Sequence, residues 1–416
     1  MPEGLAAAEN ALANGDLKEA EELGRAALRD DDSLAARLTL AQALAWQGRG
    51  RDADEVLAEV DPSGLSDSEL MAWALPRAAN QFWMLNEPER ATAFLRTTRG
   101  RVASAPAGAT IDALLGTFAM NAGSPQRAME LAGQVLGSPD ADEQAVGWAG
   151  AAAALCNARM GSFSDVDVLA ERAIAAGHPG LLRFTSAFGQ TTALVMSGEL
   201  DRAESLAREL IDATWSQQPS HAIASLLLAD VLIARGDAAA AVEVLESAAT
   251  TLAPTGYSWG PLAWMLLAQA LGQVGRVSDA GRMLARAEAK HGLKSMLFSP
   301  ELGLARAWTS AARRDGPGAV NAAREAARAA ERGGQSAVAV RALIDAVRLG
   351  DIRAAEFIER LGVDCVVARM ALDYARAFTA GDASGLAASS AAFGDIGMRG
   401  VAGDAAAQAE VCRAGR

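Results

Sequence analysis

A turn residue recurs along this chain at nearly constant spacing, and that one feature constrains the fold most. The residue is usually Gly, often followed by Asp. A small residue stands seven positions before it and Ala five positions after it. Gly48 has Ala41 and Ala53, Asn86 has Ala79 and Ala91, and Gly123 has Gly116 and Ala128. Gly198 has Thr191 and Ala203, Gly236 has Ala229 and Ala241, and Gly275 has Ala268 and Ala280. Gly15, with Ala8 and Ala20, fits the pattern, while Gly161 keeps Ala154 but is followed by Val166. The spacings from Gly123 to Gly275 are 38, 37, 38 and 39 residues. Arg314-Asp315, Gly350-Asp351 and Gly381-Asp382 read as three more turns.

The pattern has a physical reason. Gly adopts the left-handed conformation that ends one helix, and the Asp after it is placed to cap the next. The paired small residues let two helices cross with their backbones close. Leu44, Leu194, Leu232 and Leu271, each four before the turn, keep the helical period. Trp264, Leu267, Ala268 and Leu271 sit at the signature positions of one repeat. The pattern resembles the tetratricopeptide repeat at a slightly longer period. The fold expected is therefore an all-α, tetratricopeptide-like solenoid of about eleven helix hairpins and a last helix. The resemblance implies a right-handed superhelix. Residues 1–416 read as a single solenoid, less regular over 1–160 than over 161–416. A chain of 416 residues needs no division into globular domains if each repeat contacts only its neighbours.

Composition narrows the function. Asp plus Glu is 51 against 38 Lys plus Arg, a net charge of −13, which repels phosphate backbones. Direct nucleic-acid binding is not expected. Hydrophobic residues make up 51 %, ample for a packed core. Cys156, Cys365 and Cys412 form no CxxC pattern and read as core residues in a reducing cytoplasm. MPEGLAAAEN lacks the basic stretch of a signal peptide, and no long uncharged apolar run suggests a membrane span. A cytoplasmic protein is expected.

Catalytic motifs are absent. There is no GxxxxGK[ST], HExxH or GxSxG. Gly48 to Ala53 matches GxGxxA, but it lies between helices with no strand before it. His178, His221 and His291 fall near hairpin ends and read as loop or cap residues. The chain is expected to bind rather than catalyse, with no cofactor and no metal.

A second resemblance covers residues 160–416. Glu301-Leu-Gly-Leu-Ala-Arg-Ala-Trp308, Ala319 to Ala330, and Leu343-Ile-Asp-Ala-Val-Arg-Leu-Gly-Asp351 carry it, with Val363-Asp364 and Ala377-Phe-Thr-Ala-Gly-Asp382. The segments Ala391-Ala-Phe393-Gly-Asp-Ile-Gly397, Ala405 to Glu410 and Arg413-Ala-Gly415 extend it. The stretch is similar to the helical-repeat region of large LuxR-type ATP-dependent transcriptional regulators of actinobacteria. In that family an ATPase and a helix-turn-helix domain flank the repeats, and neither is found in these residues. The resemblance implies an excised sensor region or a truncated relative, with ATP hydrolysis and DNA binding not credited to it.

In tetratricopeptide arrays the first helix of each hairpin lines the concave face. Counting the turn residue as 15, positions 2, 5, 9 and 12 point inward. They give Trp73, Asn80 and Trp83, then Thr117 and Met120, then Trp148 and Leu155, then Phe188 and Thr192, then Asp230, and Met265 with Gln269. Three of the eight Trp lie on this face, with scattered polar groups, which suits a small-molecule pocket. The ligand-binding candidates are Trp73, Asn80, Trp83, Trp148, Phe188, Thr192, Asp230, Met265 and Gln269. Two readings stand: a ligand site, or side chains packed on each other as core. Asp230 is read either as a carboxylate that is solvated or paired with an Arg such as Arg183, or as an acceptor for a ligand. The expected partner is a small-molecule effector. The alternative is a peptide or protein domain held by a scaffold.

Overall fold

The structure, a computed structural model, describes residues 3–177, 180–215 and 217–415. Among these residues there are 23 α-helices and no strand. The first hairpins are α1 (Glu3–Ala13) with α2 (Leu17–Asp30), α3 (Leu34–Trp46) with α4 (Gly50–Ala58), and α5 (Asp67–Ala79) with α6 (Pro88–Arg99). Next are α7 (Ala105–Asn121) with α8 (Pro125–Leu136), α9 (Glu143–Met160) with α10 (Val166–Ala175), and α11 (Leu182–Met196) with α12 (Leu200–Asp212). Then come α13 (Ser220–Arg235) with α14 (Ala238–Leu252), and α15 (Trp259–Gln273) with α16 (Val277–Lys290). The last are α17 (Ser299–Ala312) with α18 (Gly316–Arg332), α19 (Ser336–Arg348) with α20 (Ala354–Leu361), and α21 (Val366–Ala380) with α22 (Ala383–Asp395). A final helix, α23 (Arg399–Ala414), follows them.

All eleven expected turn residues have positive φ, from 57° at Asn86 to 107° at Gly350. Asn86 and Arg314 are the non-glycine residues in this group; Asn tolerates the left-handed region, whereas Arg314 is strained by the requirement. The small residues on either side are buried, with Ala154, Ala229, Ala241, Ala268 and Ala280 fully enclosed. Ala79 is the exception, being half-buried. The capping role expected of the Asp after each turn holds only in part. Asp315 accepts from the Gly318 amide and Asp382 from the Ser384 amide. Asp16 and Asp237 occupy the cap position without such a bond, and Asp237 pairs with Arg399 instead.

First and second helices differ in how they are buried. The second helices are amphipathic: in α12 only Leu200, Ala203 and Ala207 are buried. By contrast α13 is buried continuously from Ala222 to Arg235, and α15 from Trp259 to Gly272. A helix apolar on all sides must be covered on all sides. The later hairpins supply the cover, because the chain curls back on itself. α9 packs on α19, and α13 on α23. Met296 lies against Gly123, Val363 against Gly161, and Ile396 against Gly198. At Gly236 a Cβ would lie 2.3 Å from the Gly400 nitrogen, so only glycine permits the contact. No helix among the described residues is long and apolar enough to cross a membrane.

Candidate functional site

Where the curl-back leaves space, it leaves an aromatic cavity of 270 Å³. Its walls come from α5, α7, α9, α11 and α15 and from a short 3-10 turn, Leu293–Phe298. Trp83, Trp148, Tyr257, Trp259 and Phe298 dominate the lining, with Leu114, Met120, Leu155 and Leu297 between them. Trp83 meets Phe118 edge-on at 5.3 Å between ring centroids and faces Tyr257 at 5.9 Å. Small-molecule pockets run from about 300 Å³ upward, so this one suits a compact ligand.

The polar groups in the lining are few, and several are already engaged. The Thr117 hydroxyl donates to the Ala113 carbonyl at 3.2 Å, and the Asn121 amide donates to the Thr117 carbonyl at 2.9 Å. The Ser258 hydroxyl donates to the Lys294 carbonyl at 2.7 Å. Burial raises the Tyr257 phenol above its ordinary range. The lining contains no carboxylate.

Trp83 stands in a π-helical turn, Asn80–Met84, that ends α5. Such single turns insert one extra residue and free a carbonyl from the helical ladder. Here the Trp83 carbonyl is taken by the Lys294 ammonium at 2.5 Å. The same turn borders a second depression of 370 Å³ over α3 and α5. Ala79, Trp83 and Tyr257 line both spaces and form the wall between them. Trp46, 56 % exposed, stands on the far side of the second depression.

The sequence-derived candidates do not converge on one channel. Trp83 and Trp148 line the aromatic cavity, together with Thr117, Met120 and Leu155. Asn80 lines the neighbouring depression, and its amide donates to the Gly50 carbonyl at 2.7 Å. Trp73 is core: its indole N–H donates to the Leu57 carbonyl at 2.7 Å, and its ring packs on Phe94. Phe188 forms a layer behind Trp259 and Phe298, at 6.1 and 6.3 Å between centroids. Thr192 is buried one turn further along α11, and Met265 is fully enclosed in the largest core cluster. Trp73 is covered by the neighbouring α4 and α6, and Phe188 by residues of the later α15 and the 3-10 turn.

Asp230 and Gln269 belong to a different place, a polar seam around a space of only 50 Å³. Asp230 accepts two bonds from Arg341, both 3.0 Å, so the partner is not Arg183, which lies over the Phe184 ring. Burial disfavours the Arg341 charge, but the carboxylates of Asp230, Glu301 and Asp345 together outweigh it and hold the guanidinium above its usual range. Asp345 accepts from Gln269 at 3.4 Å, from the Trp308 indole at 3.1 Å and from Arg348 at 2.8 Å. Arg159, 1 % exposed, joins this seam to the cavity. It donates to Glu301 at 2.8 Å, to Gln335 at 2.5 Å and to the carbonyl of the cavity residue Leu297 at 3.0 Å.

Sequence reasoning missed Tyr257, Trp259, Leu297 and Phe298. Tyr257 lies in the loop before α15, Trp259 is the first residue of α15, and Leu297 and Phe298 are in the 3-10 turn, all outside the first-helix positions that the repeat rule inspects. The spacing of 39 residues from Gly275 to Arg314 conceals the extra turn. The signal available was local: Tyr257-Ser-Trp259 places two aromatics side by side in a chain with 2 Tyr and 8 Trp.

His221, His291 and Cys156 lie outside the cavity lining. His221 lies in the first turn of α13 and His291 caps the end of α16, while His178 lies outside the described residues. Burial pushes the Cys156 thiol up to about 12. No group of three or more His, Cys, Asp or Glu side chains among the described residues could hold a metal ion.

Residues 11–72 match the tetratricopeptide repeat family. No curated protein matches the chain in sequence. Among solved structures, the chain is similar to a Rap protein complexed with competence and sporulation factor. That likeness has 13 % identity and a TM-score of 0.46, covering 91 % of this chain and 97 % of that one. It is also similar to the human IFIT1 dimer with m7Gppp-AAAA, at 12 % identity and a TM-score of 0.41, over 92 % and 90 % of the two chains. A third is the APC/C hetero-tetramer Cut9-Hcn1, at 14 % identity and a TM-score of 0.35, over 99 % and 93 %. The assignment as a tetratricopeptide-like helical-repeat protein rests on the repeat match and on the hairpins and turns described above.

Proposed function

We propose that this tetratricopeptide-like protein is a non-catalytic sensor module that binds a compact small molecule in its aromatic cavity. One observation carries the reading. Three Trp, a Tyr and a Phe surround 270 Å³ of space, while the inner helix α13 beside them is buried from Ala222 to Arg235. Aromatic walls supply large apolar contact, and burial of a ligand on them contributes about 25 cal/mol per Å². A few hydroxyls and one amide orient it. The resemblance of residues 160–416 to LuxR-type regulators supports an effector-sensing role within such a regulator, with the effector as the partner and no nucleic acid bound by these residues.

The test is a metabolite screen by thermal shift, followed by titration of each hit against the parent and Trp148→Ala. Loss of at least about tenfold in affinity, equal to 1.4 kcal/mol, is expected for the variant. A hit that binds both proteins equally rules the cavity out. A second reading has its own observation: the depression over α3 and α5 is apolar and flanked by the exposed Trp46. A peptide or partner domain held there would make the chain a scaffold. Its binding would weaken in Trp46→Ser and be unchanged in Trp148→Ala.

A further inference from the structure

Among the described residues, buried charges are paired, with one exception. Asp54 pairs with Arg77 and Arg90, Arg159 with Glu301, and Asp230 with Arg341. Arg235 pairs with Asp201 and Glu204, Asp345 with Arg348, and Asp351 with Arg324. Lys294, 9 % exposed, has no carboxylate within ion-pair distance among the described residues. Its ammonium donates to two backbone carbonyls, those of Trp83 and Gly256. An ammonium has three N–H donors, so one is left over. Carbonyl dipoles satisfy donors but do not neutralise a charge, and a buried charge without a counter-ion is costly. Burial and the like charge of Lys290 hold Lys294 down, at about 8.

The position of this charge gives it a meaning. Trp83 and Tyr257, the residue after Gly256, are the wall shared by the aromatic cavity and the depression beside it. Lys294 sits behind that wall. Leu297 and Phe298, from the same 3-10 turn, line the cavity itself, and Ser258 of the lining is bonded to the Lys294 carbonyl. The lysine head lies on the carbonyl of the cavity residue Trp83, at the end of a flexible four-carbon stem.

We propose that Lys294 is the counter-ion of the cavity's ligand, and that the ligand is a compact aromatic or alicyclic monocarboxylate. Its ring lies among Trp83, Trp148 and Trp259, and its carboxylate points toward the Trp83–Tyr257 wall. This rests on the cavity reading above and adds the sign of the ligand's charge and the residue that meets it.

The experiment is calorimetric titration of the full chain with benzoate, 2-naphthoate and cyclohexanecarboxylate, each beside its primary amide. The expected result is a carboxylate that binds at least about tenfold tighter than its amide. Lys294→Gln, which keeps two N–H donors for the carbonyls, should bring that ratio close to one while still binding the amide. Lys294→Arg should keep the preference. Equal binding of acid and amide by the parent overturns the counter-ion role and leaves the cavity reading standing, as does a ratio that survives in the Gln variant. Binding of none of the probes overturns both. If the Gln variant does not fold, the parent alone decides. Its preference must fall as pH rises through about 8, where the ammonium loses its proton. His291 is held low by burial and by Arg306, and Tyr257 is held high, so neither changes charge in that window. A preference constant across it overturns the proposal.

Discussion

The aromatic cavity and the Asp230–Arg341 seam lie on adjacent parts of the same inner layer and are built in opposite ways. The seam is crowded with charge and nearly without space: its carboxylates face guanidiniums, and 50 Å³ remains among them. The cavity has 270 Å³, no carboxylate among the described lining residues, and behind its wall the buried Lys294, which has no ion-pair partner among the described residues. Paired charge without space joins parts of the chain. Asp230 and Arg341 are 111 residues apart, and Arg159 and Glu301 are 142 apart. Space beside an unpaired charge is the arrangement that a ligand completes. The seam therefore joins distant parts of the superhelix, and the cavity is the space that the proposed function assigns to a ligand.

The largest expected effect breaks the seam. Asp230→Ala leaves the Arg341 guanidinium part-buried without its partner and should cost about 3–5 kcal/mol. Denaturant unfolding measures this. Affinity at the cavity, measured where the variant is still folded, should stay within about threefold, since Asp230 is absent from its lining. A stable variant with lost binding would reverse the roles assigned to the two regions.

Next in size is the scaffold under both. Ala241→Leu or Ala280→Leu places extra methylenes where the helices of a hairpin cross, at residues with no exposed surface. Overpacking of this kind costs about 1–3 kcal/mol. Unchanged melting temperatures would mean that the crossings are looser than described, and the contrast between filled and open regions would lose its basis.

Trp148→Ala sharpens the comparison from the cavity side. Trp148 is half-buried and already borders empty space, so its removal should cost less stability than the about 3–5 kcal/mol typical of a core Trp. The affinity loss should be the main effect.

The smallest effect is a pH slope. Lys294 titrates below the ordinary lysine value of 10.5, so its charged form is disfavoured in the folded state. The unfolded chain then binds more protons in the window above about pH 8, and this group's contribution to stability rises with pH there. Relative to Lys294→Gln, the parent should gain melting temperature from about pH 7 to about pH 10. A constant difference would mean that the ammonium is not penalised by burial.

The hairpins were legible because their cause is local. A left-handed residue ends each first helix, and small residues mark each crossing, so φ at Gly236 or Gly275 follows from sequence position. Even Asn86 and Arg314 were found by their spacing. The candidate site was legible only where the repeat rule and the curl-back agree, at Trp83, Thr117, Met120, Trp148 and Leu155. Trp73, Phe188 and Met265 obey the same register, yet later helices or neighbouring side chains cover them. That cover is a long-range property that no window of one repeat contains. The same holds for Arg341 opposite Asp230 and for the 3-10 turn that closes the cavity.

The most direct test of the central claim is a crystal structure of the chain with the tightest hit from the screen. The account predicts ligand density bounded by Trp83, Trp148 and Trp259, with Arg341 still on Asp230. Density in the seam in place of the Asp230–Arg341 pair, or only in the depression beside Trp46, would contradict it.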